Sequence, residues 1–473
     1  MYSRSVFTRT VVVASYVFVF LSLFQPLAAD AANGPPSSDS LPRRALLGVT
    51  AEPTPDNHVR IAKIVPGSAA ARSALAIGDI LIALNGSPVD SVAMFLARIK
   101  SFKSGDDITC RVQRGGKEMD IEVTLGEWPR EQPGDIQVLY DAVDTPAATL
   151  RSLLTKPIGT TSKLPAILYL QGFNCDSIEW PSSEPNLGRE LIYRLTRAGF
   201  AVMRSEKSGV GDSTGTPCRE VGFRDEVSLF VSALKKLKSY DFVDGENVFL
   251  FGHSAGGWVA PLVAAAEPVK GIVVYGTVVR PWGEYFVDNR RRNLWLRSQP
   301  DLAQLEDDQR LIAQLLHYLF VEKSSVREAT TKHPELTAIA KKLFPQDDEH
   351  LIGLRSLQHF RELNDQNVAR VLASLDIPVL ALIGEFDIRT LPMDHEYIAA
   401  IVNARHPGKG TWQVLPKMDH GFALHQSLKD SVTHEFKGPF GEQVVQETVK
   451  WMQEIVTRRH AQVLEPEGIS LND

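Results

Sequence analysis

The chain has 473 residues, 44% hydrophobic and 23% charged, which is the make-up of a globular protein with room for two or three domains. Its formal net charge of −6 argues against nucleic acid, and against an anionic membrane surface, as the main partner. The three cysteines form no Cys-x-x-Cys pair, and neither a His-Glu-x-x-His motif nor a phosphate-loop or dinucleotide glycine pattern occurs, so the sequence implies no metal and no cofactor.

Arg4 and Arg9 precede an apolar run from Val11 to Phe24, which Gln25-Pro26 and the small residues Ala28, Ala29 and Ala31 follow. A basic start, an apolar centre and a small-residue end read as a secretory signal peptide over residues 1–31. The apolar run falls short of the roughly 20 residues of a membrane span, so a membrane association requires that this segment be retained as an anchor. The expected location is periplasmic or secreted. Residues 32–43, rich in Ala, Asn, Gly, Pro and Ser, read as a linker.

Over residues 44–128 short apolar runs alternate with Gly, Pro and Asn: Ala45–Thr50, Val59–Val65, Ile80–Leu84, Ile108–Gln113 and Met119–Leu125, with helical segments at Ser68–Ser73 and Ser91–Lys100. Val65-Pro66-Gly67-Ser68-Ala69-Ala70, Ile77-Gly78-Asp79-Ile80-Leu81 and Asn85-Gly86 resemble the PDZ domains of exported bacterial proteases. The resemblance implies a small mixed β domain. It also implies a carboxylate-holding loop at Leu47, Gly48 and Val49, where a peptide C-terminus adds to the sheet edge. The other reading is a PDZ fold that only packs. Cys110 falls in one of these strands as a small core residue.

A candidate strand at Ile136–Tyr140 leads into a second region, 135–460. There apolar strands (Ala166–Leu170, Phe200–Arg204, Val248–Phe251, Gly271–Tyr275, Val379–Ile383, Thr411–Leu415) alternate with helices (Arg189–Arg197, Phe223–Leu237, His395–Val402, Glu442–Val456). Such alternation predicts a mostly parallel sheet with both faces covered. It stops between 280 and 374, where helical patterns at Ala303–Phe320, Ser325–Thr331, Glu335–Phe344, Leu351–Leu363 and Asn367–Leu375 predict a helical cap insertion over the site. The alternative is a peripheral decoration. Arg290-Arg291-Arg292 at its start reads as a solvated helix face or as a hold for an anionic substrate group.

Between the strand Val248–Phe251 and the small-residue helix Trp258–Ala266 lies Gly252-His253-Ser254-Ala255-Gly256. Gly-x-Ser-x-Gly in that setting is a nucleophile elbow, which lifts a serine hydroxyl above a sheet. A serine nucleophile needs a base and the base needs a carboxylate, in the chain order Ser, Asp or Glu, His. His420 lies in the loop after the last strand, with His425 a weaker competitor. Asp387 follows Pro378–Ile383, with Glu385 its competitor. The oxyanion donors expected are the N–H groups of Phe173, in the loop Leu170-Gln171-Gly172-Phe173-Asn174, and of Ala255. Cys175 and Cys218 each follow a strand, and such loops meet at one edge of a parallel sheet. A Cys175–Cys218 disulfide is expected, two unpaired thiols being the alternative.

These motifs together resemble the α/β-hydrolase superfamily, its esterase, dienelactone-hydrolase-like or prolyl-oligopeptidase-like branch, over residues 135–460. Arg204-Ser205-Glu206-Lys207-Ser208-Gly209-Val210-Gly211-Asp212-Ser213 looks like that branch's loop after the fourth strand, in which Asp212, with Glu226, braces the site. Gln171 stands where many relatives carry His. With the signal-like segment, the resemblance implies an exported serine hydrolase acting on a small-molecule acyl substrate, a carboxylic ester or related bond, through an acyl-enzyme. A serine peptidase and a peptide-binding scaffold with an inert hydrolase domain are the rival readings.

Overall fold

The structure is a computed structural model that describes residues 41–56, 58–181 and 184–464. The expected signal segment and most of the expected linker lie outside the described residues. Among the described residues no helix is long and apolar enough to cross a membrane. The chain divides into two compact units, the smaller built on Arg43–Pro129 and the larger on the residues from Arg130 onward.

The smaller unit carries a six-stranded antiparallel sheet, in which Val49–Pro53 is an outer strand paired only with Val59–Ile64. Ser91 caps the helix Val92–Ser101 by accepting from the Met94 N–H at 3.1 Å, a short polar side chain closing an open helix end. Leu47, Val59, Ile61, Leu81, Phe95, Ile108, Cys110 and Val112 form its core. Burial pushes the Cys110 thiol up to about 12, so it packs as an inert apolar group.

Eight strands form the sheet of the larger unit: β1 (Ile136–Asp144), β2 (Thr149–Pro157), β3 (Leu164–Leu170), β4 (Ala201–Ser205), β5 (Val243–His253), β6 (Gly271–Tyr275), β7 (Val379–Gly384) and β8 (Gly410–Leu415). Their spatial order is β1-β2-β4-β3-β5-β6-β7-β8. β2 pairs antiparallel with β1 and β4, and from β4 to β8 every pairing is parallel. Alternate residues of one strand enter opposite cores. Leu168, Leu250 and Val274 join one with α2 (Phe223–Lys238) and α3 (Gly256–Ala266), whereas Tyr169, Phe251 and Tyr275 join the other with α1 (Leu187–Arg197) and the helix Gln443–Leu464.

The strand β2 is not apparent from the sequence, because it carries Arg151, Ser152 and Thr155. All three are fully buried, and Arg151 is accommodated by an ion pair to Asp212 at 3.0 Å. Such a pair offsets the cost of burying a lone guanidinium.

The connection from β6 to β7 holds the cap: α4 (Trp282–Ser298), α5 (Leu302–Phe320), α6 (Val326–Lys332), α7 (Thr337–Leu343), α8 (Leu357–Asn364) and α9 (Val368–Ser374). Trp282, Phe286, Ile312, Leu319 and Phe360 share a core with Trp258 of α3, so the cap is packed onto the sheet layer. Two features differ from expectation. α4 is an added helix whose residues are half-buried on most sides, which leaves no apolar stripe to read. The helix expected from Leu351 begins only at Leu357, because Ile352 (φ 49°) and Gly353 (φ 70°) turn the chain into a hairpin between His350–Leu351 and Arg355–Ser356.

Candidate active site

Ser254 sits at the tip of the turn from β5 into α3 with φ 54°, a conformation uncommon for a residue with a side chain. Its N–H donates to the Tyr275 carbonyl at 2.9 Å and its carbonyl accepts from Gly257 at 2.9 Å, which locks the turn. The flanking glycines answer to backbone crowding. A Cβ on Gly256 would lie 2.0 Å from the Leu170 carbonyl oxygen, and one on Gly252 would lie 2.5 Å from that of Gly256.

His420 follows β8, and its Nδ1 is 2.8 Å from Asp387 Oδ2. Asp387 Oδ1 accepts from the N–H groups of Arg389 (2.6 Å) and Thr390 (3.0 Å), and Oδ2 accepts from Thr390 Oγ1 (2.9 Å). Burial alone would raise this carboxyl. The His420 charge and hydrogen bond, with the two N–H donors, outweigh it and hold the pKa at about 2. Asp387 is therefore ionised at neutral pH, which keeps the proton on His420 Nδ1 and leaves Nε2 as the basic nitrogen. Gly276, at φ 62°, makes room for the pair: a Cβ there would lie 2.8 Å from His420 Nδ1 and 3.1 Å from Asp387 Oδ2.

The competitors are engaged elsewhere. Glu385 accepts from the Lys417 N–H at 2.8 Å, and His425 Nε2 lies 3.0 Å from Asp419 Oδ2. His425 also precedes the helix Leu428–His434 instead of lying in it.

His253, the variable residue of the elbow, is a positioning group that the motif alone does not reveal. Its Nε2 donates to the His420 carbonyl at 2.8 Å, and its Nδ1 lies 3.3 Å from the Tyr169 hydroxyl. Burial, with His420 nearby, pushes its pKa down to about 3, so the ring stays neutral. Tyr275 donates to the Asp419 carbonyl at 2.5 Å from the same side.

The loop after β3 passes over the serine. A Cβ on Gly172 would lie 3.4 Å from Ser254 Cβ and 3.7 Å from its Oγ. Among the described residues the N–H groups of Phe173 and Ala255 meet no protein acceptor. Cys175, two residues further on, is joined to Cys218 by a disulfide with Cα atoms 5.8 Å apart.

Ser254 and His420 open into one cavity of about 680 Å³. Phe173, Trp180, Trp258, Trp282, Tyr285 and Phe436 give its wall an aromatic part, beside polar groups such as Asn174, Asp176, Asn289 and Arg389. Trp282 packs edge-on to Phe173 with ring centroids 4.8 Å apart, so the cap contributes directly to that wall. None of Arg290, Arg291 and Arg292 lines it. Arg291 pairs with Glu306 at 2.7 Å, and Arg292 donates to the Arg389 carbonyl at 2.8 Å, bracing the loop that carries Asp387.

Fold order, elbow and cap together define an α/β-hydrolase preceded by a PDZ domain. The family model "Serine aminopeptidase, S33" matches residues 186–424, half of the chain, and the chain belongs to that family. A PDZ model matches residues 45–125. Esterase EstD of Thermotoga maritima is 22% identical over 317 residues, covering 66% of this chain and 68% of the esterase. A probable periplasmic serine endoprotease, DegP-like, of Halomonas elongata is 35% identical over 74 residues, 16% of each chain. The periplasmic pH-dependent serine endoprotease DegQ of Escherichia coli is 35% identical over 65 residues, 14% of each. The chain thus spans a small part of those proteases and about two thirds of the esterase. It is a hydrolase of the α/β-hydrolase class.

Proposed function

We propose that the protein is an exported serine hydrolase that cleaves carboxylic esters of apolar or aromatic acyl groups. The observation that carries this reading is the Asp387–His420 pair, whose histidine opens with Ser254 into one cavity partly walled by aromatic rings. His420 Nε2 takes the Ser254 proton as Oγ adds to the acyl carbonyl carbon. The N–H groups of Phe173 and Ala255 stabilise the oxyanion. Collapse expels the alcohol, which receives the proton from His420. Water, activated by the same histidine, then adds to the acyl-enzyme and releases the acid. Asp387 stays ionised throughout and stabilises the imidazolium.

Export is supported by the signal-like segment, by the disulfide and by the periplasmic names of the PDZ-matching relatives. The sheet-edge strand Val49–Pro53 beside Gly48, at φ 80°, suits the addition of a peptide C-terminus, which gives the PDZ domain a docking role. Binding that is indifferent to amidation of the peptide terminus would remove that role.

The matching aminopeptidase model favours a second reading, hydrolysis of short peptides. A paired screen of p-nitrophenyl acyl esters and aminoacyl anilides with the purified mature chain separates the two. In either case Ser254→Ala should lower kcat by about five to six orders of magnitude. Undiminished turnover by that variant would refute the mechanism.

A further inference from the structure

The loop that carries Phe173 is held from behind by buried cations. Lys207, in the loop after β4, is 3% exposed, and its Nζ donates to the Gly172 carbonyl at 2.5 Å. Arg355, from the cap hairpin, is fully buried, and its Nη1 is 3.4 Å from the Phe173 carbonyl. Both cations meet Glu226 of α2, Lys207 at 3.2 Å and Arg355 through a direct charge-assisted hydrogen bond. Arg355 also lies 3.2 Å from Cys218 Sγ and 3.0 Å from His359 Nδ1.

The Gly172 carbonyl and the Phe173 N–H belong to one planar peptide, and in a trans peptide they point in opposite directions. Whatever fixes the carbonyl therefore fixes the N–H. A glycine at 172 offers no side chain to oppose rotation of that peptide. We infer that Lys207 is a positioning residue for the oxyanion hole: by holding the Gly172 carbonyl it turns the Phe173 N–H toward the oxyanion formed at Ser254. The inference rests on the serine-hydrolase reading above. Glu226 balances the Lys207 charge, and Arg355 carries the same arrangement into the cap. Burial pushes the Lys207 pKa down to about 8, with Glu226 opposing the fall, so at neutral pH the ammonium remains charged for this role.

The test uses the full mature chain with Lys207→Met, which keeps most of the side-chain volume. A second variant, Lys207→Leu, removes the same charge with a different side-chain shape, and in both variants Arg355 still pairs with Glu226, so no buried carboxylate is left unbalanced. A p-nitrophenyl ester is the substrate. An aryl trifluoromethyl ketone, which forms a tetrahedral adduct on a serine, reports the oxyanion hole, and the product acid reports ground-state binding.

In both variants kcat should fall by about 10- to 100-fold, less than or equal to the loss of a whole oxyanion donor. KM and product-acid affinity should hold, while ketone affinity falls in step with kcat/KM. If Lys207→Met fails to fold, Lys207→Leu decides. Wild-type kcat and ketone affinity in whichever variant folds would overturn the inference, because Lys207 would then serve charge balance alone. Failure of a fluorophosphonate to modify Ser254 in the wild-type chain would overturn the underlying reading, and this one with it.

Discussion

The two sides of the proposed oxyanion hole are built by different physics. The Ala255 side is a matter of backbone crowding: a Cβ on Gly252 would meet the Gly256 carbonyl of the elbow itself at 2.5 Å, and one on Gly256 would meet the Leu170 carbonyl of the neighbouring β3 at 2.0 Å. The Phe173 side is a loop held by charge and by a covalent bond from elsewhere: Lys207, Arg355 and the Cys175–Cys218 disulfide. The first kind of construction needs only the elbow and the backbone of the strands beside it. The second depends on three other segments, one of them in the cap.

The largest break in this comparison is expected at Gly256→Ala. The added methyl meets backbone that has no free rotamer to move, so the cost should exceed the roughly 1–3 kcal/mol of ordinary overpacking. Loss of soluble protein, or a melting temperature far below wild type with no activity, is the expected result. A folded, active Gly256→Ala protein would show that the turn is looser than its contacts imply.

Next in size is the paired variant Cys175→Ser/Cys218→Ser. Opening a crosslink between residues 43 apart should cost about 3–4 kcal/mol of stability. Melting with and without reductant measures it, and kcat should fall less than in Lys207→Met because the carbonyl hold remains. A kcat loss exceeding that of Lys207→Met would assign the loop's geometry to the disulfide instead.

The smallest effect is expected on the crowded side, at His253→Gln, which retains a donor for the His420 carbonyl. The folded pKa of His253, about 3, lies below the ordinary value of about 6.5, so the folded state binds fewer protons than the unfolded chain. Its contribution is neutral above pH 6.5 and turns progressively unfavourable as pH falls toward 3. The variant should match wild type near pH 8 and show a flatter decline in melting temperature below pH 6.5. Parallel curves would mean that His253 is accessible to protons in the native protein.

The same division explains what could be read in the sequence. The elbow is contiguous, so its glycines and serine announce themselves. Asp387 and His420 follow from strand ends and chain order. The PDZ segment carries its own local motifs. Lys207 and Glu226 lie where the family resemblance points, but nothing in the sequence joins them to Arg355, because their meeting depends on how the cap hairpin returns to the sheet. That hairpin, set by Ile352 and Gly353, hides inside a helix-like pattern. β2 was obscured for a related reason. Its polar residues look solvent-facing until Asp212, far along the chain, supplies the partner for Arg151. Gly276 was readable in part, as a glycine directly after β6, but its purpose is visible only once Asp387 and His420 stand beside it.

The cap is inserted between β6 and β7, after Ser254 and before Asp387 and His420. On the proposed mechanism, a growing polypeptide therefore completes its nucleophile long before the groups that activate it. Reactivity would then arrive only once the segments carrying Asp387 and His420 have joined the sheet, so hydrolysis would report that the two parts of the domain have come together.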